Sequence, residues 1–366
     1  YMKPTPEANR AVVWDKGPDA PPPSGERKRP NIVVILADDL GFNDVSFYGG
    51  GTAGGVVKTP NIDSIGRDGV NFPAGYAGNA TCAPSRAALM TGRYATRFGY
   101  EFTPTALGFQ RLVGGHQGAS PYPPIYHAER EAEVPDFREL GIPAGEVTIA
   151  AMLQKAGYHT VHLGKWHLGE NEAQRPDKRG FDESLGFYAG ASMFLREDDP
   201  DAVNSKQDFD PIDKFLWAAL PWGVRYNSGP MFEPKGHMTD YLTDQAVEVI
   251  RANRNRPFFL YLAYNAPHTP LQATKEDYDA LPQIGDHTLR VYAAMIRQLD
   301  RGVGRVLAEL KAQGLDGDTL VIFTSDNGGA HYVGLDDLNK PYSGWKATFY
   351  EGGIRVPFFM RWPGVI

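Results

Sequence analysis

The sequence predicts an α/β protein: a large, mainly parallel or mixed sheet with helices on both faces. Three observations carry that reading. Short β-branched apolar runs of strand length recur along the chain, with Ile32–Ala37 and Phe258–Ala263 the longest. Segments with helical period separate them. Each main run ends directly in polar or ionisable residues, as parallel strands do where a ligand binds outside their carboxyl ends.

The elements follow in order. Residues 1–30 are polar and Pro-rich, with Pro18, Pro21, Pro22 and Pro23 ahead of Glu26–Arg29. They read as an extended surface arm, distinct from a domain over 31–366. Asn31–Ala37 suits a buried parallel strand. Pro60–Gly69 and Ser85–Thr91 carry short helical patterns. Residues 101–143 are rich in Gly and Pro without a period, which predicts long loops. Val147–Ala156 predicts a helix stopped by Gly157, and Tyr158–Leu163 a strand. Residues 185–235 read as irregular and rich in aromatics. Asp240–Asn253 is helical in pattern and Phe258–Tyr264 a strand. His287–Gln313 is the clearest helix, since Leu289, Tyr292, Ile296, Leu299, Val303, Val306 and Leu310 recur at three or four residues. Leu320–Thr324 is a further strand.

Composition narrows the function. With 44 acidic and 37 basic residues among 366, the net charge is −7. That balance argues against nucleic acid as the main partner. Hydrophobic residues at 42% and charged residues at 22% exclude a chain disordered throughout. No apolar run reaches the ~20 residues of a membrane span. Cys82 is the one cysteine, which excludes an intrachain disulfide and a multi-Cys zinc site.

The polar clusters at the strand ends are Asp38-Asp39, Lys165-Trp166-His167, Asn265-Ala266-Pro267-His268 and Ser325-Asp326-Asn327. A parallel sheet would gather them into one site. Asp38, Asp39, Asp326 and Asn327 offer hard oxygen ligands, which favour Ca²⁺ or Mg²⁺. Without a cation the three carboxylates would repel and raise one another's pKa values. Lys165, His167 and His268 add positive charge and proton donors, which suit a multi-oxygen anion. The sharpest segment is Thr81–Gly92. Pro84 fits the first turn of a helix. Cys82 then lies just ahead of a helix N-terminus, where backbone amides favour an anion. Arg86 lies one turn on, on the same face.

Cys82-Ala83-Pro84-Ser85-Arg86, continuing to Leu89-Met90-Thr91-Gly92, resembles the signature of the type I sulfatases of the alkaline phosphatase superfamily. Asn31–Gly41, Thr59–Asp63, Gly164–Gly169, Pro267–Pro270, Ser325–Gly329, and Lys346 with Glu351–Pro357 resemble further motifs of that family, in its order. The resemblance covers residues 30 to 366. It implies an alkaline phosphatase-like fold and hydrolysis of an aryl or carbohydrate sulfate ester. It implies conversion of Cys82 to Cα-formylglycine by a formylglycine-generating enzyme. In that chemistry one oxygen of the hydrated aldehyde attacks sulfur and the alcohol leaves, and the second oxygen expels sulfate. Asp38, Asp39, Asp326 and Asn327 would hold Ca²⁺, with Mg²⁺ the alternative and residue 82 close by. Arg86 would pair with the metal side, and Lys165 and Lys346 would clamp the sulfate. His167 would handle a proton of the hydrated aldehyde, and His268 would stand beside the leaving oxygen as general acid. A relative of the superfamily using the same site on phosphate diesters or phosphonate monoesters is the alternative; a non-catalytic sulfated-glycan binder is a third.

Other positions carry weaker expectations. His331 would reach the substrate or be an ordinary loop residue, and His116 and His127 would line subsites or not. His159 and His162 read as packing residues. The sequon Asn79-Ala80-Thr81 adjoins Cys82 and reads as unoccupied. Trp217, Trp222, Arg225 and Tyr226 allow either stacking on a substrate ring or plain packing. The absence of disulfides fits a bacterial enzyme of the periplasm or cell exterior. The family's small C-terminal antiparallel subdomain would be missing or truncated here, since the sequence stops at Ile366.

Overall fold

The computed structural model describes residues 3–21, 29–115 and 125–366. Eleven strands form among them: β1 (Asn31–Ala37), β2 (Val70–Asn71), β3 (His159–Lys165), β4 (Glu183–Phe187), β5 (Ala202–Ser205), β6 (Val224–Tyr226), β7 (Met231–Phe232), β8 (Phe258–Ala263), β9 (Leu271–Thr274), β10 (Thr319–Ser325) and β11 (Phe358–Arg361). Nine of them make one sheet in the order β2-β11-β10-β1-β8-β3-β4-β6-β7, and β5 pairs with β9. The five central strands, β10 to β4, are parallel; the flanking pairs are antiparallel.

Both faces of the sheet are covered. Val33, Ile35, Leu260, Leu262 and Phe323 pack on one side with Leu242, Ala246, Ile296 and Val303 from helices Met238–Ala252 and His287–Ala312. Val34, Leu36, Phe259 and Tyr261 pack on the other with Ala83, Ala87 and Ala150, from helices Cys82–Thr91 and Ile149–Lys155. Central strands buried on both faces cannot alternate apolar with polar, which is why they read as continuous apolar runs. The long helix opens where the Asp286 carboxylate accepts from the Leu289 N–H at 2.8 Å. Gly164 lets β3 lie against β8, because a Cβ there would sit 2.0 Å from the Ala263 carbonyl oxygen.

Two expectations need correction. Residues 101–143 are not loop throughout: Leu107–Gly114 is helical, with 3₁₀ turns at Ala128–Glu133 and Phe137–Glu139. Nor are residues 185–235 irregular, since they hold β5, β6, β7 and the helix Pro211–Ala219. The missed elements depend on distant partners. Phe109 meets Phe215 edge-on at 5.0 Å, and β5 pairs with β9 some seventy positions along the chain. Local pattern carries no trace of such contacts.

The described part of the N-terminal arm is pinned to the domain. Trp14 is buried, meets Tyr226 edge-on at 5.4 Å and donates through Nε1 to Gln245 Oε1 at 3.0 Å. Replacing Trp14 with Ala is expected to cost about 3 kcal/mol. That would show as a lower urea midpoint at unchanged m-value; an unmoved midpoint would mean that the arm adds nothing to the fold.

Candidate active site

The parallel register brings the strand ends level. Ala37 lies opposite Ser325, Leu36 opposite Ala263, and Ala263 opposite Gly164. The next residues of β1, β10 and β8, and Lys165 at the end of β3, therefore meet at one edge. Asp38, Asp39, Cys82, Arg86, Lys165, His167, His268, Asp326 and Asn327 are all buried there.

Asp38 accepts from Lys165 Nζ at both carboxylate oxygens, at 2.8 and 2.7 Å. Arg86 Nη2 lies 3.3 Å from Asp38 Oδ1 and 2.8 Å from Asp326 Oδ2, and Arg86 Nε donates to the same Asp326 oxygen at 2.9 Å. Asp39 binds on its other side. Lys346 Nζ donates to Asp39 Oδ2 at 2.8 Å, and Asn327 Nδ2 donates to Asp39 Oδ1 at 2.8 Å. Three carboxylates thus face three basic side chains, a formally balanced set. Burial pushes the Asp38 carboxyl up to about 7 against the pull of Lys165. Burial acts the same way on Asp39 and Asp326. There it is outweighed, by Lys346 and His268 at Asp39 and by Arg86 and Lys165 at Asp326, so both are held below the usual carboxylate range.

Cys82 begins its helix with Thr81 at the N-cap position, and Gly92 in the left-handed region (φ 65°) ends it. Its Sγ points into the cluster, 3.8 Å from Asp39 Oδ1. Burial pushes the thiol up to about 12 despite Lys165 and Lys346. The thiol form is therefore a poor nucleophile at neutral pH. Asn79 is buried and accepts from the Thr81 N–H and hydroxyl through its own amide oxygen, at 3.1 and 3.0 Å.

Asp39 and His167 are non-glycine residues in the left-handed region, at φ 62° and 57°. Such backbone costs roughly 1 kcal/mol or more each and persists only where the surroundings impose it. Both adjoin strand ends in this cluster. His167 Nδ1 is buried without a hydrogen-bond partner among the described residues. Burial, with Lys165 and Arg86 nearby, holds this ring far below the usual histidine range. His268 lies on the opposite flank. Its Nδ1 donates to the Thr269 carbonyl, and its Nε2 accepts from Lys346 Nζ at 3.1 Å. Burial and then Lys346 push it down to about 3.

Asp38, Asp39 and Asn327 offer hard oxygens that fit a divalent cation, while Asp326 stands outside the tightest group of ligand atoms. Ligand atoms of Asp38, Asp39, Cys82 and His268 lie within 4.8 Å of one another. Asn327 Oδ1 is buried without a partner among the described residues. A buried amide oxygen with no protein donor, set beside carboxylates, suits a metal ligand.

Sequence reasoning passed over Tyr332, whose hydroxyl donates to Asp39 Oδ2 at 3.2 Å and accepts from Lys346 Nζ at 3.0 Å. Only its position shortly after Asp326-Asn327 hinted at it. Other candidates sit elsewhere. His162 packs among Trp166, Phe181 and Tyr261. His159 Nε2 is hydrogen-bonded to Glu183 at 2.8 Å, and His127 is exposed beside Glu129. His116 lies outside the described residues. Trp217 is buried and donates to Asp213, Trp222 packs on the core, Arg225 donates to the Gly229 carbonyl, and Tyr226 donates to Glu183. Each of the four has a partner within the fold. Among the described residues no helix is long and apolar enough to cross a membrane.

Sheet and strand-end cluster together define an α/β protein of the alkaline phosphatase type. The chain belongs to the sulfatase family, whose model, described as Sulfatase, matches residues 30–366. It is 33% identical over 356 residues to N-acetylgalactosamine-6-sulfatase of Rattus norvegicus, covering 94% of this chain and 59% of that protein. Among solved structures it resembles Ps i-CgsB in complex with k-i-k-neocarrahexaose, at 34% identity and TM-score 0.73, over 92% of this chain and 66% of that one. It also resembles the PsFucS1 sulfatase from Pseudoalteromonas sp., at 28% identity and TM-score 0.67, over 93% and 63%. The chain spans about three fifths of the length of the curated relatives it matches.

Two measurements test the burial described here. The Cys82 thiol in the folded protein is expected to resist iodoacetamide at pH 8 and to react fully once denaturant is added; rapid native labelling would contradict its burial. His162 is pushed down to about 3 from 6.5 by burial. The unfolded chain therefore takes up a proton between those values that the folded chain refuses, and stability present at neutral pH is lost as pH falls through that window. His162→Phe is expected to flatten the acid limb of the stability curve between pH 6.5 and 3. An unchanged limb would mean the ring gains its proton without unfolding.

Proposed function

We propose that this protein hydrolyses sulfate esters of aryl or carbohydrate alcohols, with residue 82 as nucleophile after conversion of Cys82 to Cα-formylglycine. One observation carries the reading: Cys82 Sγ lies 3.8 Å from Asp39 in a buried cluster that also holds Lys165, Lys346, His268 and Arg86. A cysteine whose thiol is held neutral serves poorly as a nucleophile in its own right, which favours its role as precursor.

Asp38, Asp39, Asp326 and Asn327 would hold the metal, Ca²⁺ in this reading, with residue 82 beside it. A bound divalent cation supplies positive charge that stabilises an ionised oxygen at residue 82. Arg86 keeps Asp326 and Asp38 in place from the helix that carries residue 82. With the carboxylates neutralised, Lys165 and Lys346 turn their ammonium groups to the sulfate oxygens, where fixed charges stabilise the transition state. Once Lys346 leaves His268 Nε2, that nitrogen can carry a proton to the departing alcohol oxygen. His167, with its orphaned Nδ1 buried against the cluster, is the base that removes a proton from residue 82 in the second half of the reaction. A formylglycine-generating enzyme would be the maturation partner, and the periplasm or cell exterior the site of action.

The test begins with the mass of the tryptic peptide containing residue 82, from protein made alongside a formylglycine-generating enzyme. The aldehyde is expected, together with turnover of 4-nitrophenyl sulfate that exceeds turnover of the matched phosphonate ester. Cys82→Ala should lower the rate by on the order of 10⁴-fold or more. Chelation of divalent cations should abolish turnover, and Ca²⁺ should restore it. An intact thiol under conditions that convert a control sulfatase would sink the reading.

A further inference from the structure

Three groups of different kinds hold Lys346. An ammonium has three donors. Those of Lys346 meet Asp39 Oδ2 at 2.8 Å, the Tyr332 hydroxyl at 3.0 Å and His268 Nε2 at 3.1 Å. In the reaction proposed above, two of these contacts are temporary. Asp39 would turn to the cation, and His268 would carry a proton on the nitrogen that now accepts from Lys346. Tyr332 has neither duty. A tyrosine is neutral at pH 7. Its oxygen can go on accepting from Nζ while the other two contacts change.

The two residues are mounted as a pair. Tyr332 sits in the 3₁₀ turn His331–Val333, which Gly334 closes in the left-handed region (φ 75°). Val333 is buried in the core, and Tyr332 packs against that core. The Lys346 N–H donates to the Gly329 carbonyl at 3.1 Å, on the segment that leads into this turn. The Ala347 N–H donates to the Ala80 carbonyl at 2.8 Å, two residues before Cys82. Ala347 itself lies at φ 70°, a backbone that a residue other than glycine keeps only where its surroundings impose it. The two segments also touch on their outer side. His331 is exposed and meets Trp345, the residue before Lys346, with ring centroids 4.7 Å apart. On the inner side, Lys346 Nζ lies 5.5 Å from the centre of the Tyr332 ring. A lysine stem alone is flexible and leaves its ammonium free to wander. Hydroxyl and ring together select one position for it.

We infer that Tyr332 is a positioning residue: its hydroxyl anchors Lys346 Nζ at the Asp39 side of the cluster, so that the ammonium is in place for the sulfate oxygens. The inference rests on the sulfate-ester reading above. Tyr332 acts through the lysine and not on the substrate.

The test uses the formylglycine-containing protein with Ca²⁺, and Tyr332→Phe, which removes the oxygen and keeps the ring. Dissociation constants for inorganic sulfate and for Ca²⁺ are read by calorimetry, and kcat and KM with 4-nitrophenyl sulfate. Tyr332→Phe is expected to weaken sulfate binding about tenfold and to lower kcat/KM by at least as much, the scale of one hydrogen bond to a charged group. The Ca²⁺ constant should stay within about twofold, the spread seen between independent sites. In a Lys346→Met background the same substitution should change sulfate binding by no more than about twofold, because no ammonium is left to position. An undiminished effect without Lys346 would overturn the inference. So would a Ca²⁺ constant weakened as much as the sulfate constant, which would place the role of the hydroxyl at Asp39. A lower melting temperature with unchanged sulfate binding would make Tyr332 a packing residue and overturn it too. Failure of wild type to turn over the ester despite an aldehyde at residue 82 would instead overturn the sulfate-ester reading on which the inference rests.

Discussion

Burying three carboxylates at the edge of one sheet is the constraint on which the rest of this structure depends. A lone ionised carboxylate removed from water costs several kcal/mol even after the protein relaxes. Here Asp38, Asp39 and Asp326 are buried together, and their repulsion adds to that cost. The offset comes from three separate parts of the chain: Arg86 on a helix, Lys165 at the end of β3, and Lys346 on a late loop. Each must be in place for the others to be tolerated. A buried polar network of this kind is all-or-none, because removing one partner leaves an uncompensated charge.

The sheet makes that convergence possible. Parallel pairing of β1 with both β10 and β8 puts their carboxyl ends at one level, and a register shift of one residue would carry the acids away from their partners. The left-handed backbone at Asp39 and His167 belongs to the same demand. Each turns its side chain into the cluster directly after or near a strand end, and the surrounding hydrogen bonds hold the strain. Folding energy from the sheet is thus spent on geometry at its edge.

Neutrality has a functional consequence. With three carboxylates against three basic side chains the cluster has no formal excess charge with which to attract an anion. A divalent cation among the carboxylates would change this, leaving ammonium and guanidinium groups in excess at this edge of the sheet. The orphaned oxygen of Asn327 and the carboxyl of Asp38, raised by burial, both accord with a centre whose charge is completed by an ion.

Much of this protein was legible in its sequence. Strands β1, β8 and β10 and the helix His287–Ala312 were readable because doubly buried strands and long amphipathic helices write their environment into local pattern. The strand-end clusters pointed to the site because parallel strands share one carboxyl edge, and Cys82 with Arg86 stood out through chain-local spacing. The short strands β5, β6 and β7 and the helices at Leu107–Gly114 and Pro211–Ala219 were not readable, since their stability comes from partners far along the chain. Likewise Tyr332 on Asp39, the neutral pairing of acids with cations, the proton on His268 Nδ1 and the meeting of His331 with Trp345 were decided by tertiary structure alone. Sequence pattern records which side a residue faces; it does not record which distant residue meets it there, and in this protein the chemistry lies in those meetings.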